Sequence, residues 1–418
     1  MSTNSAAAEI VESDAPTGGK WLLVGILAGV LFGLVVGWYW EGAATRVAWL
    51  GDLFLNALSM LVIPLLVSAV ITGVTSIGDV RHLGRLSAVT VSYYLVTVVI
   101  AVVIGLVMVN LVRPGIGMPT EGLSIPDEVA DAVGSDGVGD VLLRLIAPNL
   151  IDAAADTNLL PLIVWSVAFG IALASLGEAG RPAARFFYAF NAGMMKLVSW
   201  VMYFAPVGIF GLIAGMFGKA GSAEAFVETL SRVGLHVATV LTGLGVHFVV
   251  LTLILVTVGS RSIAYLGNML RAIVTAFATA SSTATLPLTL QCAKESGIDE
   301  RARRFVLPLG STVNMDGTAL YEAAAAMFIA QAYGLELGLG QQAVIVITAT
   351  LAAIGAAGIP QAGLVTIIIV LQVIGLPLEG ISLLLAVDWF LDRFRTATNV
   401  WGDAVGAAVV DRYVRSRF

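Results

Sequence analysis

Residues 272–292 read AIVTAFATASSTATLPLTLQC, about the length of a membrane span. The flanks forbid a simple crossing. Arg261 and Arg271 precede the stretch, and Lys294, Arg301, Arg303 and Arg304 follow it. Lys and Arg concentrate on the cytoplasmic side of membrane proteins, so both ends belong to one side. A segment that enters and returns is a re-entrant hairpin. Its centre, SSTATLP (281–287), is small, polar and interrupted by Pro287, which predicts unwound backbone there. Such backbone persists at membrane depth only where protein or water covers it.

Working outward, six long apolar stretches come first, at roughly 20–40, 48–76, 88–112, 158–177, 189–217 and 227–258. The loops carrying Arg81 and Arg85, Arg181 and Arg185, and Arg261 and Arg271 fall on the cytoplasmic side by strict alternation. The acidic, Gly- and Pro-rich 113–156 loop then falls outside. After the hairpin, a span at 304–333 ends at YGLELGLGQQ, which has no Lys or Arg and so lies outside. The next apolar segment, 341–376, has AAIGAAGIPQAG at its centre and ends at the acidic LPLEG. It reads as a second hairpin, entering from outside. The last span, 381–410, runs to the basic DRYVRSRF, which places both termini in the cytoplasm. Hairpin–helix followed by hairpin–helix from opposite faces is an inverted repeat, an arrangement that puts broken backbone and substrate near the bilayer midplane in secondary transporters. The predicted fold is an all-α polytopic membrane protein with eight transmembrane helices and two re-entrant helical hairpins.

Composition agrees. Of 418 residues, 58% are hydrophobic and 12% charged, and mean hydropathy is +0.94. The long continuous runs exclude a transmembrane β-barrel, whose strands alternate. The single Cys292 excludes an intramolecular disulfide, and His82, His236 and His247 are too scattered for a zinc motif. Nothing suggests a cofactor, and nothing suggests nucleic acid as a partner. Residues 1–19 are polar and small and read as a disordered cytoplasmic tail without the basic start of a signal peptide. No Asn-X-Ser/Thr sequon is present, which favours a prokaryotic source and a cell (inner) membrane location.

The last span carries AVDWFLDRFRTATNVWGDAVGAAVV (386–410), with charges that each cost roughly 2.5–3.5 kcal/mol at mid-membrane. Asp388, Asp392, Arg395, Asn399 and Asp403 are spaced 4, 3, 4 and 4 apart. They fall in an arc of roughly 80° on a helix, with Thr396 at its border. Arg393 lies off this face. A salt-bridge ladder, such as Asp392 with Arg395, is the bland alternative. The preceding span carries GSTVNMDGTALYEA (310–323), where Gly310, Asn314, Asp316, Gly317 and Thr318 weaken the helix. Unwinding at Asn-Met-Asp-Gly would expose carbonyls. With Asp316, Asp403 and the amides of Asn314 and Asn399 these make an all-oxygen set suited to a hard monovalent cation. Glu322 is a candidate proton carrier, because burial penalises a carboxyl's charged form. At the first hairpin tip, Ser281, Ser282 and Thr283 with backbone N–H groups could bind a carboxylate. At the second, Gly358, Pro360 and Gly363 permit close approach to a ligand. Arg395 wants an anion, Asp392 an ammonium, and the first tip a second carboxylate. The ligand with all three groups is an acidic amino acid.

SMLVIPLLVSAVITGV (59–74), SSTATLP (281–287), NMDGTALYEA (314–323), GAAGIPQAG (355–363) and DWFLDRFRTATNVWGDAVGA (388–407) resemble the dicarboxylate/amino acid:cation symporter family, the excitatory amino acid or glutamate transporters. The match runs in order over roughly 90–415 and is densest over 275–410. The resemblance implies a homotrimer. Its scaffold would comprise 20–87 and 158–217 (spans 1, 2, 4 and 5), and its mobile transport domain 88–112, 227–258 and 262–414. The transport domain would carry substrate by an elevator motion, with the hairpin tips as gates. By the same resemblance, Asp392 binds the substrate amino group and Arg395 its side-chain carboxylate. Thr318, Asn399 and the Ser282 region hold the main-chain groups, and Ile359 and Gly363 line the second tip. One Na+ would use Gly310, Asn314, Asn399 and Asp403. A second would sit between Thr312 and the carbonyls of Ala353, Ile354 and Ala356. A third would use Tyr94, Thr97, Asn314 and Asp316, although Val98 stands where the family has Ser or Thr. Glu322 and Arg393, with Ala280 at the first tip in place of an Arg, resemble the animal branch of the family. They imply H+ symport and K+ counter-transport.

Two other classes compete. An intramembrane aspartyl protease would need its catalytic signatures, which are missing, and Arg395 three residues from Asp392 would keep that carboxylate ionised. An anion channel would not need an amino-group site. Within transport, the alternative is a C4-dicarboxylate:cation symporter, which has no use for Asp392 against an amine.

Overall fold

The computed structural model describes residues 19–76, 80–118, 146–156, 159–218, 223–355 and 362–415. The expected N-terminal tail lies outside them except for Gly19, where the first helix begins. Most of the acidic loop and the centre of the second hairpin also lie outside them.

Among the described residues the chain is helical and has no strand. The first half builds α1 (Gly19–Tyr39), α2 (Glu41–Val47), α3 (Trp49–Ser76), α4 (Val80–Val112), α5 (Leu150–Ala155) and α6 (Leu159–Ser175). It continues with α7 (Arg181–Tyr203), α8 (Ala205–Gly218) and α9 (Ala223–Thr257). At 1.5 Å per residue, the 28 residues of α3, 33 of α4 and 35 of α9 exceed the ~30 Å hydrocarbon core. The protein is an all-α polytopic membrane protein.

The span expected at 189–217 is instead two helices, α7 and α8, bent by 57°. Pro206 explains the break. It has no N–H to continue the α7 ladder, and the amides of Val207 and Gly208 both turn to the Phe204 carbonyl, at 3.1 and 3.0 Å. The restart lets α1 dock closely: a Cβ at Gly29 would lie 2.3 Å from the Pro206 carbonyl oxygen. Small residues at such crossings take the place of a hydrophobic driving force between helices in lipid.

The second half builds α10 (Ala264–Thr279), α11 (Ser282–Glu295), α12 (Glu300–Val313), α13 (Asp316–Ala332), α14 (Leu339–Gly355), α15 (Ala362–Val373) and α16 (Ser382–Arg415). α10 and α11 have 16 and 14 residues, or about 24 and 21 Å. Each is too short to cross the bilayer, as a re-entrant limb must be. They pack on each other and join through Ala280 and Ser281 alone. Pro287 therefore does not mark the break; it sits inside α11. The turn is made by Ala280 in the left-handed region at φ 51°, and the Ser281 hydroxyl caps α11 by accepting from the Ala284 amide at 3.1 Å. With the turn this tight, Ser282 to Pro287 stay helical.

The expected unwinding of Asn-Met-Asp-Gly is likewise narrower. Only Asn314 and Met315 leave the helix, and α13 starts at Asp316. A carboxylate in a first turn complements the positive end of the helix dipole. α13 is buried all round from Asp316 to Ala330, wrapped by α4, α14, α15 and α16. α14 and α15, of 17 and 12 residues, pack as a second pair. Helices α1, α3, α6, α7 and α8 pack among themselves, as do α4, α9 and α10 to α16. The two sets meet most extensively where α14 crosses α3, with Ile354 against Gly73.

Candidate transport site

α16 is one uninterrupted helix, and its polar arc is buried throughout: Asp388, Asp392, Arg395, Thr396, Asn399 and Asp403 expose 7% or less. The break between α12 and α13 meets this arc at mid-length.

Arg395 is completely buried. Its Nη2 donates to Asp392 Oδ1 at 2.9 Å, and Nη1 lies 3.0 Å from Asp388 Oδ1 at an angle outside a hydrogen bond's. The guanidinium sits over the Tyr321 ring, 4.1 Å from its centroid, a desolvated cation–π contact. The ion pair of the ladder reading is thus present, and Asp388, which had no assigned ligand, is the second counter-charge of Arg395. A Cβ at Gly363 would lie 2.8 Å from Nη1, so the backbone of α15 abuts the guanidinium. Thr396 back-bonds to the Asp392 carbonyl at 2.8 Å.

Thr318 and Asn399 are brought together. Asn399 Nδ2 lies 3.3 Å from Thr318 Oγ1, and Asn399 Oδ1 accepts from the Gly317 amide at 2.7 Å. At the first hairpin tip, Ser282 donates its hydroxyl to the Ser311 carbonyl at 2.8 Å. That proton therefore fastens the tip to α12. Arg393, off the polar arc, donates to the Phe277 and Ala278 carbonyls at 3.1 and 2.7 Å. A cation at the last carbonyls of α10 complements its dipole by roughly 0.3–1 kcal/mol.

The candidate cation residues converge behind this. Asn314 Nδ2 donates to Asp403 Oδ1 at 3.1 Å, and Thr97 Oγ1 lies 3.5 Å from Asn314 Oδ1. A Cβ at Gly310 would lie 2.3 Å from Asp403 Oδ1 and 2.7 Å from the Tyr94 hydroxyl, so only Gly fits. A Cβ at Gly402 would meet Asp316 Oδ2 at 2.9 Å. Tyr94 donates to the Val306 carbonyl at 2.7 Å. Asp316 and Asp403 are both buried, and among the described residues neither pairs with a Lys or Arg. A buried carboxylate without a Lys or Arg partner is either neutral, paired with another group such as the imidazole beside Asp316, or held by a bound cation. Val98 is buried in the apolar core and brings no side-chain oxygen.

The set around Thr312 is less complete. Its hydroxyl turns to the Leu309 carbonyl at 3.1 Å, and α12 packs against α14, which carries Ala353 and Ile354. Ala356 and Ile359 lie outside the described residues. Glu322 is wholly buried on α13 with Thr366 of α15 as a polar neighbour.

Two members of the cluster escaped the sequence reading. His247 Nε2 lies 3.0 Å from Asp316 Oδ2, both fully buried. Tyr321 forms the floor under Arg395. A His inside an apolar span was the available signal for the first; for the second there was only its place beside Glu322.

A helical bundle with charges of both signs buried along one continuous helix, and broken backbone facing them, fits the apparatus of a membrane transporter. Residues 22–413 match the profile of the sodium:dicarboxylate symporter family, and the chain belongs to that family. Excitatory amino acid transporter 4 of Mus musculus is 40% identical over 433 aligned positions, covering 86% of this chain and 76% of the relative. Excitatory amino acid transporter 3 of the same species is 36% identical, covering 94% of this chain and 85% of the relative. A putative sodium-dependent excitatory amino acid transporter of Caenorhabditis elegans is 40% identical, covering 87% and 82%.

Proposed function

We propose that the protein imports an acidic amino acid, glutamate or aspartate, by sodium symport. The observation that carries this reading is the buried juxtaposition of Asp392 and Arg395 on α16, beside Thr318 and Gly363. A zwitterion with an extra carboxylate meets both charges: its ammonium takes Asp392 and its side-chain carboxylate takes Arg395. The main-chain carboxylate goes to the Thr318–Asn399 pair and the first hairpin tip around Ser281 and Ser282. Gly363, with Ile359, closes the second side. Asp388 and Tyr321 hold the guanidinium while Asp392 trades it for the substrate amine. The names of the relatives support the substrate class.

Sodium ions neutralise Asp403 and Asp316, using Gly310, Asn314 and Asn399 for the first, and Tyr94, Thr97, Asn314 and Asp316 for another. The Thr312, Ala353, Ile354 and Ala356 set serves a further ion. Glu322 carries a proton, and Arg393 belongs to the same coupling apparatus, with K+ returning in the substrate-free step. The chain works as a homotrimer in a cell (inner) membrane with both termini cytoplasmic. α4, α9 and α10 to α16 move as the elevator against the scaffold of α1, α3, α6, α7 and α8.

The test is competition in proteoliposomes. Labelled aspartate uptake should be blocked by glutamate and poorly by succinate, and Asp392→Asn should abolish it. Succinate competing as well as aspartate, with Asp392→Asn intact, would make the protein a C4-dicarboxylate carrier.

A further inference from the structure

The end of α16 remote from the substrate arc carries a second buried charge that the transport chemistry does not use. Asp411 exposes 1% of its surface. Its Oδ2 pairs with Arg261 Nη2 at 2.5 Å, and its Oδ1 accepts from the Asp299 amide at 2.8 Å. We propose that Asp411 and Arg261 form a positioning pair that locks the base of the first hairpin to α16 and so sets the register of its tip over the substrate.

The Asp411 carboxylate holds the Arg261 guanidinium and the Asp299 amide directly, and Arg261 and Arg412 reach two further segments. Arg261 lies in the link between α9 and α10. Its guanidinium also donates to the Ser296 and Gly297 carbonyls, both at 3.3 Å, where α11 ends. Asp299 is the N-cap of α12, its side chain accepting from the Arg301 amide at 2.9 Å. Arg412, next to Asp411, donates to the Thr257 and Val258 carbonyls at 3.3 and 2.8 Å, where α9 ends. The end of α9 is therefore bound to this turn of α16 by Arg412, the start of α12 by Asp411, and the α9–α10 link by the Arg261–Asp411 pair, through which the end of α11 is also held.

The consequence is leverage. Asp411 lies 19 residues from Asp392, about 28 Å along the helix. α10 and α11 are stiff rods that start at the lock and end at Ser281 and Ser282. The tip is fastened to the same partners, by Ser282 to α12 and by Arg393 to α10. Fixed at both ends, hairpin one cannot slide along α16 without breaking the lock. The second hairpin contrasts: α14 and α15 contain no charged residue. Asp411 is the buried member and Arg261 the partly exposed one, so loss of the Arg261 cation would leave a buried carboxylate uncompensated. Asp411 touches neither substrate nor cation; it acts through the hairpin.

The chain supplies its own reporter. Cys292, its single cysteine, is buried on α11 one turn before the lock, and Ser296 donates its hydroxyl to the Cys292 carbonyl at 2.8 Å. Asp411→Asn keeps the shape and the acceptor for Asp299 but removes the charge, and Asp411→Glu restores the charge. In full-length protein in proteoliposomes, N-ethylmaleimide should modify Cys292 at least ten-fold faster in Asp411→Asn than in the wild type. Asp411→Glu should return the rate most of the way. The KM for aspartate, an assay that rests on the proposed substrate class, should rise at least five-fold in Asp411→Asn with kcat within two-fold. The labelling arm holds whatever the substrate is, so a wild type that transports no aspartate would sink the substrate reading and leave this test standing. Wild-type labelling in Asp411→Asn, or faster labelling that Asp411→Glu does not reverse, would overturn the lock. Faster labelling with an unchanged KM would overturn its positioning role. Should Asp411→Asn not reach the membrane, Arg261→Gln breaks the same pair from the other side, under the same criteria.

Discussion

Arg395 carries the largest consequence of any single residue. It is a fully buried cation balanced by Asp388 and Asp392 and floored by Tyr321. Replacing it by Thr leaves two buried carboxylates with one cation fewer, and removes the partner for a substrate side-chain carboxylate. Arg395→Thr should lose aspartate uptake by at least ten-fold and gain sodium-coupled uptake of neutral amino acids such as serine, measured with labelled substrates. Unchanged aspartate affinity would refute the carboxylate role. Gly310 has the same sharpness at the cation cluster. An Ala there would press on Asp403 and Tyr94 together. Gly310→Ala should weaken sodium activation of transport at least ten-fold, about 1.4 kcal/mol, with normal surface expression. Glu322→Gln should flatten the pH dependence of net uptake, because the amide carries no proton across; a wild-type profile would remove Glu322 from coupling. These residues were legible because a charge inside an apolar run is rare and expensive, so its presence is informative. Asp388 was visible but unassigned, since periodicity gives the face and not the partner. His247 and Tyr321 were missed because each sits in an otherwise ordinary apolar helix, and only packing reveals what it touches.

At the scale of the element, the packed pairs α10–α11 and α14–α15 and the break between α12 and α13 were foreshadowed by where Lys and Arg fall and by clusters of small and polar residues. The exact site of the first hairpin's break was not. SSTATLP looks like unwound chain, yet Ser282 to Pro287 form the first turns of α11, and Ala280 alone takes the left-handed conformation. Pro287, the sixth residue of α11, removes one ladder hydrogen bond, to the Thr283 carbonyl, without ending the helix. The opposite error befell the fifth span, read as continuous because 189–217 is evenly apolar, while Pro206 breaks it. The tip allows a direct check. An L-residue in the left-handed region costs roughly 1–2 kcal/mol, which Gly relieves at an entropic expense of its own. Ala280→Gly should therefore raise thermal stability in detergent by a small amount, on the order of 0.5–1 kcal/mol, without altering the helices by circular dichroism. A clear loss of stability would mean that the Ala280 methyl group packs at the tip more strongly than the backbone strain costs.

At the scale of the molecule, one set of packed helices, α4, α9 and α10 to α16, surrounds buried charge: Asp316, Glu322, Asp388, Asp392, Arg395 and Asp403. α13 is buried along nearly its whole length, and the polar arc of α16 and the break between α12 and α13 bring buried polar groups together inside the bundle. Such an interior is costly to maintain in a membrane unless ions and substrate occupy it in turn, which is the physical content of coupled transport. The most direct test is uptake of labelled aspartate into proteoliposomes carrying an inward sodium gradient. The account predicts accumulation above the outside concentration, collapsing when sodium is equal on both sides and absent in Asp392→Asn. Uptake indifferent to sodium, or unimpaired by Asp392→Asn, would contradict it.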